Sequence, residues 1–294
     1  MTQTVGMIGL GIMGGAMARN LVDAGFKVVG HDVSDSAVTR ARGNGVEIAA
    51  SVRDVAAAAR LIVTSLPSAK AALATAEQIA ATGLPARIVA ETSTLALDDK
   101  MAFAAVLEKA GHVPLDCPLS GTGAQAERRD LVIFASGDPT AVTEMDPVFQ
   151  GFGRLVQKLG AFGQGSKMKF VANLLVAINN VASAEAMVLG MKAGLDPQRI
   201  IDCVTTGVAN SRVFELRAPM MAANDYPATM KLDIWKKDMA VIGAFAADLD
   251  CPVPLFSTTN AFYDSARAAG YGPEDAAAVC KVLADMAKLE RPRA

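Results

Sequence analysis

Apolar positions in the first half of the chain fall in short runs, with Ala-rich stretches of helical period between them. Residues 5–8, 27–32, 61–66, 87–91, 113–116 and 131–135 are runs of strand length rich in Val, Ile and Leu. Residues 12–24, closed by Gly25, and the stretches 52–59, 70–81 and 97–110 carry a helical pattern. Strands alternating with helices predict a parallel sheet covered on both faces. Beyond Gly163 the texture changes. Residues 166–193 read as one long helix, capped by Ser166 and stopped at Gly194. Asp196-Pro197 opens another, and 230–247, 258–269 and 273–289 continue the helical pattern. The reading is an α/β domain over 1–163 and an all-α domain over 164–294, with the long helix running between them. A substrate cleft is expected where the two meet.

The first apolar run leads directly into Gly9-Leu10-Gly11-Ile12-Met13-Gly14. A Gly-x-Gly-x-x-Gly sequence alone can be a plain turn. Here it follows a strand and opens a helix, the context a dinucleotide pyrophosphate cradle requires. Gly9 suits the tight turn, Gly11 the close approach of backbone to pyrophosphate, and Gly14 the packing of helix on strand. Ile12 and Met13 begin the helix whose free N–H groups would face the phosphates. Asp32 ends the second strand, where a carboxylate accepts from a ribose 2′-hydroxyl and repels a 2′-phosphate. That favours NAD over NADP. The alternative for Asp32 is a surface residue or the cap of the next helix, and His31 beside it reads as solvated.

Within the long helix Lys169, Asn173 and Asn180 form one stripe among Phe170, Val171, Leu174, Leu175, Val176 and Ile178. Burying an amine or amide without a partner costs several kcal/mol. The stripe faces water, or caps neighbouring backbone, or serves chemistry. Lys167 lies about 200° around the helix from Lys169, cannot share a face with Asn173, and is expected in solvent.

A net charge of −2 gives no electrostatic footprint for nucleic acid or an anionic membrane. The apolar stretches are interrupted short of the ~18 residues a span needs, and no basic residue precedes the first of them. A cytoplasmic location is the expectation. Cys117, Cys203, Cys251 and Cys280 are scattered, and with only His31 and His112 no metal-ligand spacing appears. Most of these cysteines are expected to be buried small hydrophobes.

These residues, taken in order, resemble the β-hydroxyacid dehydrogenase family, which includes 3-hydroxyisobutyrate dehydrogenase and tartronate semialdehyde reductase. The glycine loop with Met17-Ala18-Arg19-Asn20-Leu21 looks like its N-terminal signature. Asp116-Cys117-Pro118-Leu119-Ser120-Gly121 is similar to its substrate motif, and Gly163-x-Gly165-x-x-x-Lys169 with Asn173 to its catalytic motif. Lys237-Asp238 and Gly270-Tyr271-Gly272 with Asp275 resemble later motifs. The resemblance spans essentially the whole chain. It implies a Rossmann-type doubly wound sheet and hydride transfer between a nicotinamide and a small hydroxy acid.

The resemblance also implies residue roles. Leu66, Pro67 and Thr94 would flank the nicotinamide, and Lys237 would reach it or close the cleft. Ser120 and Gly121 would hold a substrate carboxylate. Lys169 would exchange the hydroxyl proton, with Asn173 orienting substrate or lysine. Thr122 stands where the family has a second glycine, adding bulk and a hydroxyl beside the carboxylate site. Ala172 and Asp130 also depart from the pattern. The stretch 207–238 is similar to the sugar-acid branch, such as threonate dehydrogenases. There Asn210, Ser211 and Arg212 either contact substrate hydroxyls or form a helix-capping turn. An imine reductase, a phosphogluconate-type dehydrogenase and a catalytically silent NAD-binding association protein are the competing readings. Lys169 argues against the first and third. A homodimer or homotetramer is expected of so apolar a helical half.

Overall fold

The computed structural model describes residues 3–290, and the chain divides after Lys169 into two compact units. In the first unit the six apolar runs become β1 (Thr4–Ile8), β2 (Lys27–His31), β4 (Leu61–Thr64), β5 (Ile88–Glu91), β6 (Val113–Asp116) and β8 (Val132–Gly137), and three strands outside those runs join them: β3 (Glu47–Ile48), β7 (Leu119–Ser120) and β9 (Leu155–Lys158). Their pairing order is β3-β2-β1-β4-β5-β6-β8-β7, and β9 also pairs with β8, in parallel. Strands β1 to β6 are mutually parallel.

The expected all-parallel sheet is corrected beyond β6: β8 runs antiparallel to both β6 and β7. No full crossover helix intervenes there. The chain passes through β7 and one short helix and returns in the opposite sense.

The helices of this unit are α1 (Ile12–Asp23), α2 (Asp35–Gly43), α3 (Val52–Ala58), α4 (Ala69–Ala80), α5 (Leu97–Lys109), α6 (Gly123–Glu127) and α7 (Pro139–Phe152). Alternation along the strands sends side chains to two cores. Val5, Met7, Leu61 and Val63 pack with Met17 and Leu21 of α1 and Met145 and Phe149 of α7. Ile8, Ile62 and Val89 pack with Val55 of α3, Ile79 of α4 and Phe103 and Leu107 of α5. Burial on both faces explains why these strands read as continuous apolar runs.

The long helix is α8 (Gln164–Lys192). Ser166 lies inside its first turn and does not cap it. α9 (Pro197–Thr205) starts as expected, with the Asp196 side chain accepting from Arg199 N. α10 (Arg212–Ala223), α11 (Leu232–Asp248), α12 (Pro254–Ala268) and α13 (Val279–Met286) complete the second unit. The helix expected over 273–289 is shorter and begins with a 3₁₀ turn, Ala276–Ala278. Fully buried Asp275 sets that start. Its Oδ1 accepts from Ala277 N at 3.0 Å, and its Oδ2 from Thr229 Oγ1 at 2.6 Å and Met230 N at 2.8 Å.

Two further expectations change. α8 is long and apolar enough to cross a membrane by length and composition, with a window of mean hydropathy 1.5. Its buried face, however, carries Asn173, Asn180 and Ser183, each bonded to protein atoms, which marks a core helix. Cys117 and Cys280 are buried as expected, but Cys203 and Cys251 are exposed.

Candidate active site

The glycine loop lies at the carboxyl end of β1, beside the end of β4, where the strand order reverses direction. Open α/β sheets bind ligands at that point. Two of its glycines are demanded by the protein itself. Gly9 has φ +90°, and a Cβ there would lie 2.1 Å from Ser65 O; a Cβ on Gly14 would lie 1.9 Å from Gly9 O. Gly11 differs, because a Cβ there meets nothing within 4 Å. The open approach over Gly11 fits a ligand pressed against the backbone. α1 begins at Gly11 without a side-chain cap and without an acidic residue in its first turn, so its leading N–H groups are free for an anion. Ile12 is 72% exposed at this mouth, with Met13 half-buried behind it.

Asp32 follows β2 and faces this loop. Its Oδ2 accepts from Leu10 N at 2.6 Å and its Oδ1 from Ser34 N at 2.8 Å. The carboxylate thus fixes the glycine loop and also the entry to α2, whose cap is Ser34. Each oxygen keeps acceptor capacity for a ribose hydroxyl. His31, expected in solvent, is half-buried, with Nδ1 3.2 Å from Ala49 O. Half-buried Leu66 and exposed Pro67 follow β4, and half-buried Thr94 follows β5. Leu66 N donates to Ser93 Oγ at 2.8 Å, tying the two loops. Gly9 to Gly14, Asp32, Leu66, Pro67 and Thr94 therefore line adjacent strand ends along one edge of the sheet.

At β6 the same edge turns polar and buried. Asp116 ends the strand and accepts from Ser166 N at 2.7 Å and Ser166 Oγ at 2.8 Å. It also pairs with Lys100 Nζ at 3.0 Å, and Lys100 is ion-paired in turn with Glu91 at the end of β5. Burial works against the Lys100 charge, but the two carboxylates outweigh it and hold its pKa above the ordinary lysine value. Burial, then the charge of Asp116, pushes the neighbouring Cys117 thiol far up, so it is no nucleophile. Gly165 lets the first turn of α8 lie against this corner, since a Cβ would sit 2.3 Å from Phe134 O and 2.7 Å from Asp116 O.

Lys169 follows on α8, only 6% exposed. With Asn173 and Asn180 buried too, the stripe does not face solvent, although Asn180 does bond neighbouring backbone. Lys167, expected in solvent, is half-buried. Ser120 and Gly121 are half-buried at the end of β7. The hydroxyl expected of Thr122 beside a carboxylate site is used otherwise: it caps α6, accepting from Gln125 N at 3.4 Å, while Gln125 Oε1 accepts from Thr122 N at 3.1 Å.

In the second unit Asn173 is buried, and its Nδ2 donates to Asp238 Oδ2 at 3.2 Å. Exposed Lys237 lies 3.8 Å from the other oxygen of Asp238. Asn180 serves packing instead, donating to Tyr263 Oη at 2.9 Å and Ala276 O at 3.0 Å. Burial pushes the Tyr263 hydroxyl up to about 12, so it remains a donor, to Ala177 O at 3.1 Å. Ser211 is the cap of α10, accepting from Phe214 N. Asn210 and Arg212 both bond Glu215. The capping reading of that turn prevails.

Sequence comparison completes the picture. Residues 4–163 match the family described as the NAD binding domain of 6-phosphogluconate dehydrogenase. Residues 163–283 match the one described as NAD-binding of NADP-dependent 3-hydroxyisobutyrate dehydrogenase. The L-threonate dehydrogenase of Cupriavidus necator is 32% identical over 96% of this chain and 97% of its own length. The chain belongs to the β-hydroxyacid dehydrogenase family. Solved members superpose closely. The 3-hydroxyisobutyrate dehydrogenase of Salmonella typhimurium has a TM-score of 0.85 at 32% identity, covering 95% of this chain and 99% of that one. The Mycobacterium tuberculosis enzyme, solved with L-serine, has 0.88 at 29%, covering 96% and 99%. As a β-hydroxyacid dehydrogenase the protein exchanges hydride between NAD(P) and a small hydroxy acid.

Sequence reasoning about this dehydrogenase missed Glu91, Lys100, Ser136 and the structural use of Asp116 and Ser166. One signal was present. Lys100 is in helical phase with Phe103, Ala104 and Leu107, the buried face of α5, where a charge demands a partner.

Proposed function

We propose that this dehydrogenase oxidises a four-carbon sugar acid or a closely similar short hydroxy acid, with NAD as the preferred acceptor and Lys169 as the acid–base group. Lys169 itself carries the reading. It is a buried amine on a largely apolar helix, set beyond a helix start bonded to the motif that leads to Ser120. Residues 1–163 serve as the dinucleotide-binding domain and 164–294 as the substrate and association domain. The several L-threonate dehydrogenases at 31–32% identity support the substrate class.

Gly9, Gly11 and Gly14 with the α1 N-terminus would hold the pyrophosphate, with Ile12 and Met13 beside it and Asp32 on the ribose. Leu66, Pro67, Thr94 and Lys237 would fix the nicotinamide, which when bound supplies a hydride acceptor at C4. The Ser120 hydroxyl and the Gly121 N–H would hold the substrate carboxylate, with Thr122 shaping the site by its bulk. Neutral Lys169 takes the hydroxyl proton as the adjacent C–H bond gives up its hydrogen with both electrons. It then releases that proton to solvent, and reduction runs the same steps backwards. Desolvation is the influence that brings a lysine into the range where this exchange is efficient. Asn173, held by Asp238, orients the substrate oxygen or the amine.

The test is formation of reduced nicotinamide across a panel of short 3-hydroxy acids and four-carbon sugar acids, with NAD and NADP separately. Turnover of none of them while cofactor still binds would instead support the silent association protein. Asp32→Ala should lower the NAD-to-NADP ratio of kcat/KM by about tenfold, roughly 1.4 kcal/mol of discrimination. The ratio is the right quantity, because loss of the Leu10 and Ser34 contacts loosens the loop for both cofactors. An unchanged ratio would remove the basis for the NAD preference.

The same reading places the chain in a homodimer or homotetramer. Val171, Leu175 and Leu189 are more than half exposed on α8, a stripe of the kind that subunit interfaces cover. Light scattering should give a multiple of the 30.4 kDa chain mass, and a monomer at micromolar concentration would refute it. A cytoplasmic location accords with four free cysteines, two of them exposed.

A further inference from the structure

Between the loops assigned to the nicotinamide and the helix that carries Lys169 runs an unbroken series of polar contacts, all within the first unit. Leu66 N donates to Ser93 Oγ at 2.8 Å, and Ser93 N donates to Glu91 Oε1 at 2.9 Å. Lys100 Nζ bridges Glu91 to Asp116, and Asp116 accepts from both Ser166 N and Ser166 Oγ. The side chains of Glu91, Lys100 and Asp116 are completely buried, and Ser166 is 1% exposed. A parallel path passes through Ser136, whose Oγ donates to Asp116 O at 3.0 Å and accepts from Gly165 N at 2.9 Å. Lys169 lies less than one helical turn beyond Ser166.

Such a network is a poor source of stability, since apolar replacements of a buried ion pair are often as stable. What a buried network whose charges are all paired gives is one fixed geometry. The leading N–H groups of a helix have no partners within it. In α8 two of them are held by groups from the sheet, Gly165 N by Ser136 and Ser166 N by Asp116. Hydride and proton leave adjacent atoms of one substrate. The acceptor loops and the lysine must therefore be registered to each other, and a misplacement of about 1 Å can cost about a hundredfold in rate.

We propose that the Glu91–Lys100–Asp116 triad, with Ser166 and Ser136 as its links to α8, is the device that holds Lys169 in register with the loops after β4 and β5. These are positioning residues; none touches a reacting atom. The proposal rests on Lys169 being the acid–base group.

Ser166→Ala removes one link and keeps the Ser166 N–H. With an acid that the parent enzyme turns over, kcat should fall about tenfold. The Kd for reduced cofactor, read by its fluorescence, should stay within about twofold and KM for the acid within about threefold. A primary deuterium isotope effect on kcat should rise as the chemical step slows. Ser166→Thr, which keeps the hydroxyl, should recover most of kcat. Ser136→Ala should show the same split and decides the matter if Ser166→Ala fails to fold.

Parental kcat in the folded Ala variants, or a loss shared with Ser166→Thr or matched by weaker cofactor binding, overturns the proposal and leaves the network a structural role. Lys169→Ala separates the two layers. If it stays active, the assignment of Lys169 falls and this proposal with it. If it is inactive while Ser166→Ala retains parental kcat, positioning alone is refuted.

Discussion

Lys169→Ala should abolish measurable turnover, with kcat reduced by about a thousandfold or more, while the protein still binds NAD(P). General acid–base groups contribute about 10²–10⁴ to rate, and an alanine offers water no comparable base at that point. The loss should appear in kcat and not in cofactor affinity, because every residue assigned to the pyrophosphate and ribose lies in the turn from β1 into the first turn of α1 or directly after β2. Urea unfolding separates this loss from a folding defect: Lys169 is only 6% exposed, and a variant that unfolds at the parental urea concentration yet does not turn over has lost chemistry alone. Two controls sharpen the result. Lys167→Ala, about 200° around the same helix, should stay near parental activity. A small primary amine added to Lys169→Ala should restore part of the rate, in proportion to its concentration. Full turnover in Lys169→Ala would refute the mechanism outright.

Much of the cofactor edge was legible because its signals are local. A strand, three glycines and a helix start are contiguous in sequence, and Asp32 ends the next strand. The Lys169 stripe was legible as a 3.6-residue period, although only the fold shows that it is buried and not solvated. Elements without a local pattern were missed. β3 and β7 have two residues each, and β9 has Leu155, Gln157 and Lys158 exposed, so no apolar run announces it. α7 and α10 carry Pro147 and Pro219 inside them, which reads as a helix break. Yet Asp138-Pro139 opens α7 with the same signature as Asp196-Pro197, and that signal was available.

The polar corner was hidden for a different reason. Lys100, Asp116 and Ser166 meet only after the sheet has formed, and Ser166 lies 50 residues from Asp116. A serine before a helical pattern is ordinarily a cap, and only the fold shows its hydroxyl turned to a strand end. The role of the Thr122 hydroxyl as cap of α6 was likewise missed.

Lys100→Met should destabilise the first unit by about 3–5 kcal/mol, the usual result of removing one partner from a buried ion group. The methionine fills nearly the same volume, so little of this is a cavity effect. The cost comes from leaving Glu91 and Asp116 buried together without the ammonium between them. The neutral triple replacement Glu91→Gln, Lys100→Met and Asp116→Asn should recover most of the loss, since no charge is then stranded.

The pH dependence has a defined sign. The folded-state pKa of Lys100 is raised, so its contribution is complete below the unfolded lysine value of about 10.4 and is lost as pH rises from there through the folded value. Urea unfolding should therefore show a constant gap between parent and Lys100→Met from pH 7 to 9, narrowing at pH 11. A parent and variant of equal stability at pH 7 would show that the triad carries no net electrostatic free energy. If the triple variant folds as stably as the parent yet turns over slowly, charge at this corner serves the placement of Lys169 more than the stability of the fold.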